Sequence, residues 1–98
     1  MNKESIIEIV ILNVKSLVET LPDQQKFDVN LDTVLFGRNS NIDSLSLVSV
    51  IVDLETTFSL DYNFDISLTD DRAMMREKSP FDSISSMADY IDELINEN

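Results

Sequence analysis

The sequence predicts an all-α domain of four helices, the third of them short, with a long loop between the first two. Three observations carry that expectation. Apolar residues recur at helical spacing in three long stretches. The single glycine and both prolines fall at or beyond the ends of those stretches. At 98 residues, 43% of them hydrophobic, the chain fits one compact domain spanning 1–98 with a modest core.

Ile7, Val10, Ile11, Val14, Leu17, Val18 and Leu21 give the first helix, about 3–20, and Pro22 stops it. From 21 to 42 the period dissolves among Pro, Asp, Asn, Ser and Gly37. Phe27, Val29, Leu31, Val34, Leu35 and Phe36 are nevertheless too apolar for a solvated linker, so the loop is expected to be pinned to the core. A loop this long in a small domain counts either against the helix assignment or in favour of a function for the loop. Asp43 and Ser44 supply start signals for a second helix, about 44–58. Tyr62, Phe64, Ile66 and Leu68 then alternate with polar residues, the pattern of a half-buried extended segment. Thr69, Asp70 and Asp71 open a short third helix, about 70–76, with acids at its positive end. Ser79-Pro80-Phe81-Asp82 has the form of a capping box. It predicts a fourth helix over about 80–95 with Ile84, Met87, Ala88, Ile91, Leu94 and Ile95 inward, and the polar end Asn96-Glu97-Asn98 is expected to fray.

Charge narrows the function. With 19 acidic residues against 7 basic ones the formal charge is −12, which repels nucleic acid and anionic bilayers and favours partners with basic surfaces. The longest continuous apolar run is far too short for a membrane span, and the N-terminus lacks a signal-type stretch, so a cytoplasmic monomer without membrane insertion is expected. Cysteine and histidine are both absent. There is thus no disulfide, no thiolate metal site and no imidazole to activate a serine, and the chain is read as no enzyme. Neighbouring carboxylates follow from abundance alone and carry no acid–base assignment.

Helix two separates on a wheel into two apolar groups. Leu47, Val50, Ile51, Leu54 and Phe58 form a stripe of about 100°, the width of a core face. Leu45, Val48 and Val52 form a second stripe near Ser44 and Glu55. Either helix three or the long loop covers it, or it is a docking patch for partner proteins. Ser44 stands where a helix N-terminus favours a phosphate group, and Ser44 or Asp43 equally suits a simple N-cap.

Asp43-Ser44-Leu45, about forty residues in, followed by an apolar helix ending in Leu54-Glu55 and Phe58, with Tyr90-Ile91 near the end, resembles the attachment motif and layout of acyl carrier proteins. The likeness runs from roughly Ile6 to Leu94. It implies an acyl-carrier-like four-helix bundle with 4′-phosphopantetheine, derived from coenzyme A, on Ser44. Asp43 would serve transferase recognition, and Leu45, Val48, Val52 and Glu55 would contact partners. Those partners would be a phosphopantetheinyl transferase, a ligase loading an acyl or aminoacyl group, and a downstream transferase or synthase with a basic docking surface. Ser46 and Ser49 stand where carriers of primary fatty-acid synthesis usually have acids. Asn41 stands three residues before the serine, where glycine is common, and Gly37 lies seven before it. These departures point to a specialised stand-alone carrier.

Two other readings compete. Asp61, Asn63 and Asp65 match the first ligand positions of a calcium-binding EF-hand loop, but Ile66 stands where that loop needs glycine and Arg72 where it needs glutamate. The alternative to a carrier is an unmodified acidic helical interaction module, which has the same fold and differs only in the state of Ser44.

Overall fold

The computed structural model describes residues 1–96. Four helices, α1 (Lys3–Glu19), α2 (Ser44–Tyr62), α3 (Asp71–Met75) and α4 (Ile84–Asn96), follow one another, with a 3-10 turn at Asp23–Gln25 and no strand among the described residues. The all-α expectation therefore holds. None of these helices is long and apolar enough to cross a membrane.

α1 starts where the Asn2 side chain accepts the Ser5 N–H at 2.8 Å, which satisfies one of the helix's unpaired donors. It packs against both α2 and α4. Its buried face is Ile6, Ile9, Val10, Val14 and Val18, whereas Ile7, Ile11, Leu17 and Leu21 are only half-buried. The core stripe is thus rotated from the expected one. Residues 6, 7 and 9–12 are all apolar, so spacing alone leaves the phase of this helix open, and its two packing partners set it.

The long loop is pinned as expected. Leu35 and Ile42 are buried, Phe27 and Val29 lean on the core, and the Ser40 hydroxyl accepts the Ile42 N–H at 3.0 Å while facing the Val34 carbonyl at 2.9 Å. Its backbone also supports α4. The Ile84 and Ser85 N–H groups donate to the Thr33 and Leu31 carbonyls, each at 3.0 Å, and the Ser83 hydroxyl accepts the Ser86 N–H at 3.1 Å. These contacts shift the start of α4 from the expected position 80 to Ile84. Ser79-Pro80-Phe81-Asp82 forms a turn instead, closed by Asp82 N–H to Ser79 carbonyl at 3.2 Å.

α2 runs four residues past its expected end at Phe58. Asn63 stops it in the left-handed conformation (φ 60°), with the Phe64 N–H reaching back to the Phe58 carbonyl at 2.9 Å. Tyr62, expected in the extended segment, is the last residue of the helix, its ring 6.0 Å from that of Phe58. Beyond it the alternation persists: Phe64 and Ile66 are half-buried and Leu68 fully buried, with Asn63, Asp65 and Ser67 exposed. α3 occupies one residue less at each end than expected, because the Asp70 carboxylate is its cap, accepting the Ala73 N–H at 3.2 Å.

Ile84, Met87, Ala88, Tyr90 and Ile91 place α4 in the single buried cluster, with Leu94 and Ile95 at its margin. Lys3 pairs with Asp89, joining the start of α1 to α4. Asn96, expected to fray, closes α4 and donates its side-chain amide to the Met1 carbonyl at 3.0 Å; residues 97 and 98 lie outside the described residues.

Candidate functional site

The site expected from the sequence is the start of α2. Asp43 is extended (φ −78°, ψ 169°); its carboxylate accepts the Ser46 N–H at 2.7 Å, and its carbonyl accepts the Leu47 N–H at 2.9 Å. Hydrogen bonds from Ser46, backbone first and side chain second, hold the Asp43 carboxyl below the usual aspartate range. Asp43 is therefore the N-cap, and Ser44 is free of that duty as the first helical residue, exposed to solvent. The helix end thus has its own carboxylate, which takes the Ser46 N–H.

The two faces of α2 are sharply distinct. Leu47, Val50, Ile51, Leu54 and Phe58 are buried, the same five residues read from the wheel. On the other face Leu45 is 83% exposed, Val48 56% and Val52 52%. Neither α3 nor the long loop covers them. Ser44 and this trio thus share an open surface, and such a contiguous apolar patch on an acidic domain is the kind that marks a binding face. Glu55 is placed differently from the trio. It is half-buried, and its carboxylate accepts the Leu68 N–H at 2.8 Å, tying the segment before α3 to α2.

An apolar cleft of about 410 Å³ opens one turn below Ser44, walled by Leu47 and Ile51 of α2, Ala73 and Met74 of α3, and Phe36 and Phe81 of the flanking loops. Sequence reasoning missed this cleft. Its signal was the pair of aromatic residues in otherwise polar turns, Phe36 beside Gly37 and Phe81 after Pro80.

Of Asp61, Asn63 and Asp65, Asn63 ends α2 through its left-handed backbone, and Asp65 accepts the Ser59 hydroxyl at 2.9 Å. Among the described residues no group of three or more His, Cys, Asp or Glu is placed to hold a metal ion. Compared with protein-family models, curated proteins and solved structures, the chain finds no match.

Proposed function

We propose that this chain is a carrier protein of the acyl-carrier type, holding an acyl or aminoacyl group as a thioester on a 4′-phosphopantetheine arm at Ser44. One observation carries the reading: Ser44 of Asp43-Ser44-Leu45 is exposed at the first position of a helix whose outward face is apolar beside it. The residues present fit the group. Ser44 has open solvent before it, and Asp43 has already satisfied the helix end, so attachment at Ser44 breaks no hydrogen bond of the fold. The arm would supply the thiol that a chain without cysteine lacks.

In this reading Asp43 is part of what a phosphopantetheinyl transferase recognises, and Leu45, Val48 and Val52 are the apolar contacts for loading and downstream enzymes. From Asn39 to Asp71 there is no basic residue, so the surface around α2 favours partners whose docking face is basic. The four-helix arrangement, with a long pinned loop and a short third helix, is consistent with an acyl-carrier-like bundle.

Incubation with coenzyme A and a broad-specificity phosphopantetheinyl transferase tests the proposal. A bond from Ser44 Oγ to the phosphorus of the pantetheine phosphate forms as the P–O bond of the coenzyme A pyrophosphate breaks; adenosine 3′,5′-bisphosphate leaves, and the hydroxyl proton passes to a base of the transferase. The intact mass should rise by one phosphopantetheine, and Ser44→Ala should abolish the gain. A wild-type chain left unmodified by several such transferases refutes the carrier reading and leaves the exposed face of α2 to an unmodified interaction module.

A further inference from the structure

A second cavity, of about 240 Å³, lies in the long loop and is lined chiefly by polar side chains. One wall is the segment before Leu35, with Asp28, Asn30, Asp32 and Thr33, and the other is Asn39 and Asn41. Ser40 holds the walls together: its hydroxyl faces the Val34 carbonyl at 2.9 Å on one side and accepts the Ile42 N–H at 3.0 Å on the other. The groove is therefore built before anything enters it. Its internal contacts use only part of what it offers. The Asn30 side-chain oxygen accepts the Asp32 N–H at 2.8 Å and the Thr33 hydroxyl accepts the Asn30 N–H at 2.9 Å, which leaves the Asn30 amide hydrogens and the Thr33 hydroxyl proton to donate. The Asn39 and Asn41 side chains have no hydrogen-bond partner among the described residues.

Asn41 stands three residues before Ser44, so at most about 11 Å of chain separates this edge of the groove from the Ser44 backbone. On the carrier reading, the arm on Ser44 has a phosphate, a carbon bearing paired methyl groups, a hydroxyl and two amides before its thiol. The groove has a counterpart for each of the uncharged groups. Phe27 and Val34 are its apolar lining, and the asparagines, Thr33 and the Asp28 and Asp32 carboxylates are donors and acceptors for the hydroxyl and the amides. The carboxylates oppose a phosphate, but the turn that carries Asn39 also carries Arg38, the base nearest to Ser44 in the chain, exposed and without a hydrogen bond or ion pair among the described residues. The cleft below α2 has mainly apolar walls, where amides would lose water without replacement. We infer that Asn30, Thr33, Asn39 and Asn41 hold the unloaded arm across the long loop, in this polar groove rather than in the apolar cleft. The inference rests on the carrier reading and gives the long loop a role beyond packing.

Two-dimensional NMR on the full chain, before and after transfer of the arm from coenzyme A, tests it, with intact mass confirming the transfer. The side-chain amide signals of Asn30, Asn39 and Asn41 should move on modification, and the arm's methyl protons should show contacts with Phe27 and Val34. Backbone signals of Ala73 and Met74 in the cleft should stay where they were. The joint variant Asn39→Ala, Asn41→Ala removes two exposed side chains without changing charge. The arm thiol of that variant should react with iodoacetamide roughly twice as fast as that of the wild-type chain, the change expected when a docked state populated about half the time is lost. Shifts confined to residues beside Ser44, shifts at Ala73 and Met74 in place of the asparagines, or equal alkylation rates overturn the groove and leave the carrier reading intact. A chain that gains no mass overturns both.

Discussion

Replacing Leu54 by alanine on one face of α2 and Val52 by alanine on the other tests whether this helix is two-sided in solution. Leu54 is fully buried between neighbours from the other helices, and truncating it deletes three carbon atoms from the core. At about 0.8 kcal/mol for each buried CH₂ the lost transfer term is roughly 2.4 kcal/mol, and the cavity left behind brings the total into the range of about 2–5 kcal/mol. For a domain of this size each kcal/mol is worth about 4–8 °C, so the melting temperature should fall by about 10 °C or more. Val52 is 52% exposed. Its truncation removes little buried surface and exchanges a β-branched residue for a better helix former, so the change should stay within about 0.5 kcal/mol. Thermal and urea unfolding followed by far-UV circular dichroism read both values. A loss at Val52→Ala or Val48→Ala comparable to that at Leu54→Ala refutes the reasoning, because it would mean that something covers the second stripe.

Charge and acidity supply two further tests. The acids from Asp43 to Asp71 have no basic residue among them, so raising salt to about 0.1 M, where the Debye length is about 10 Å, should raise the melting temperature. Magnesium and calcium should act alike at matched ionic strength, and a selective effect of micromolar calcium lost in Asp61→Asn would refute diffuse screening. The hydrogen bond from Arg76 holds the Glu93 carboxyl below the usual glutamate range, with Arg72 adding to the shift and burial and Asp89 opposing it. A depressed folded-state value means that the pair stabilises the protein above the unfolded value of about 4.3 and loses that contribution as pH falls through the lower folded value. Glu93→Gln should therefore flatten the acid-side decline of the melting curve, and parallel declines in variant and wild type would refute the assignment.

The sequence carried the parts of this fold that rest on a clean period. Along α2 polar residues interrupt the apolar ones often enough to fix the phase, and the five buried positions follow from it. Along α1 the run from Ile6 to Leu12 is nearly all apolar, so no face is distinguished until α2 and α4 pack on it. The end of α2 was hidden because its stop is a left-handed asparagine rather than glycine. The start of α4 was hidden because its first N–H groups are taken by carbonyls some fifty residues earlier, a pairing that no local motif encodes. For the site, Asp43, Ser44 and the exposed trio were legible because they lie on one helix. The cleft was not, since α2, α3, the loop at Phe36 and the turn at Phe81 all build its walls, and Glu55 reads as a surface acid until Leu68 folds back onto it.

A chain with 19 acids and 7 bases cannot neutralise itself by ion pairing, and the structure shows what several of those acids do instead. Asp43 and Asp70 each accept a backbone N–H at the start of a helix, and Glu55 accepts one from Leu68 far along the chain. Carboxylates in such positions satisfy donors that a helix end would otherwise leave to water, and at the two caps they also meet the positive end of the helix dipole. Two of the basic residues join helices: Lys3 links α1 to Asp89 of α4, and Arg76 links the end of α3 to Glu93. Asp43 and Asp70 thus order single helix ends, while Lys3 and Arg76 join other segments to α4. The face with Leu45, Val48 and Val52 stays exposed. α3 has little core of its own, Ala73 being its one buried residue, and polar contacts from Asp70 to Tyr90 and from Arg76 to Glu93 tie its two ends to α4.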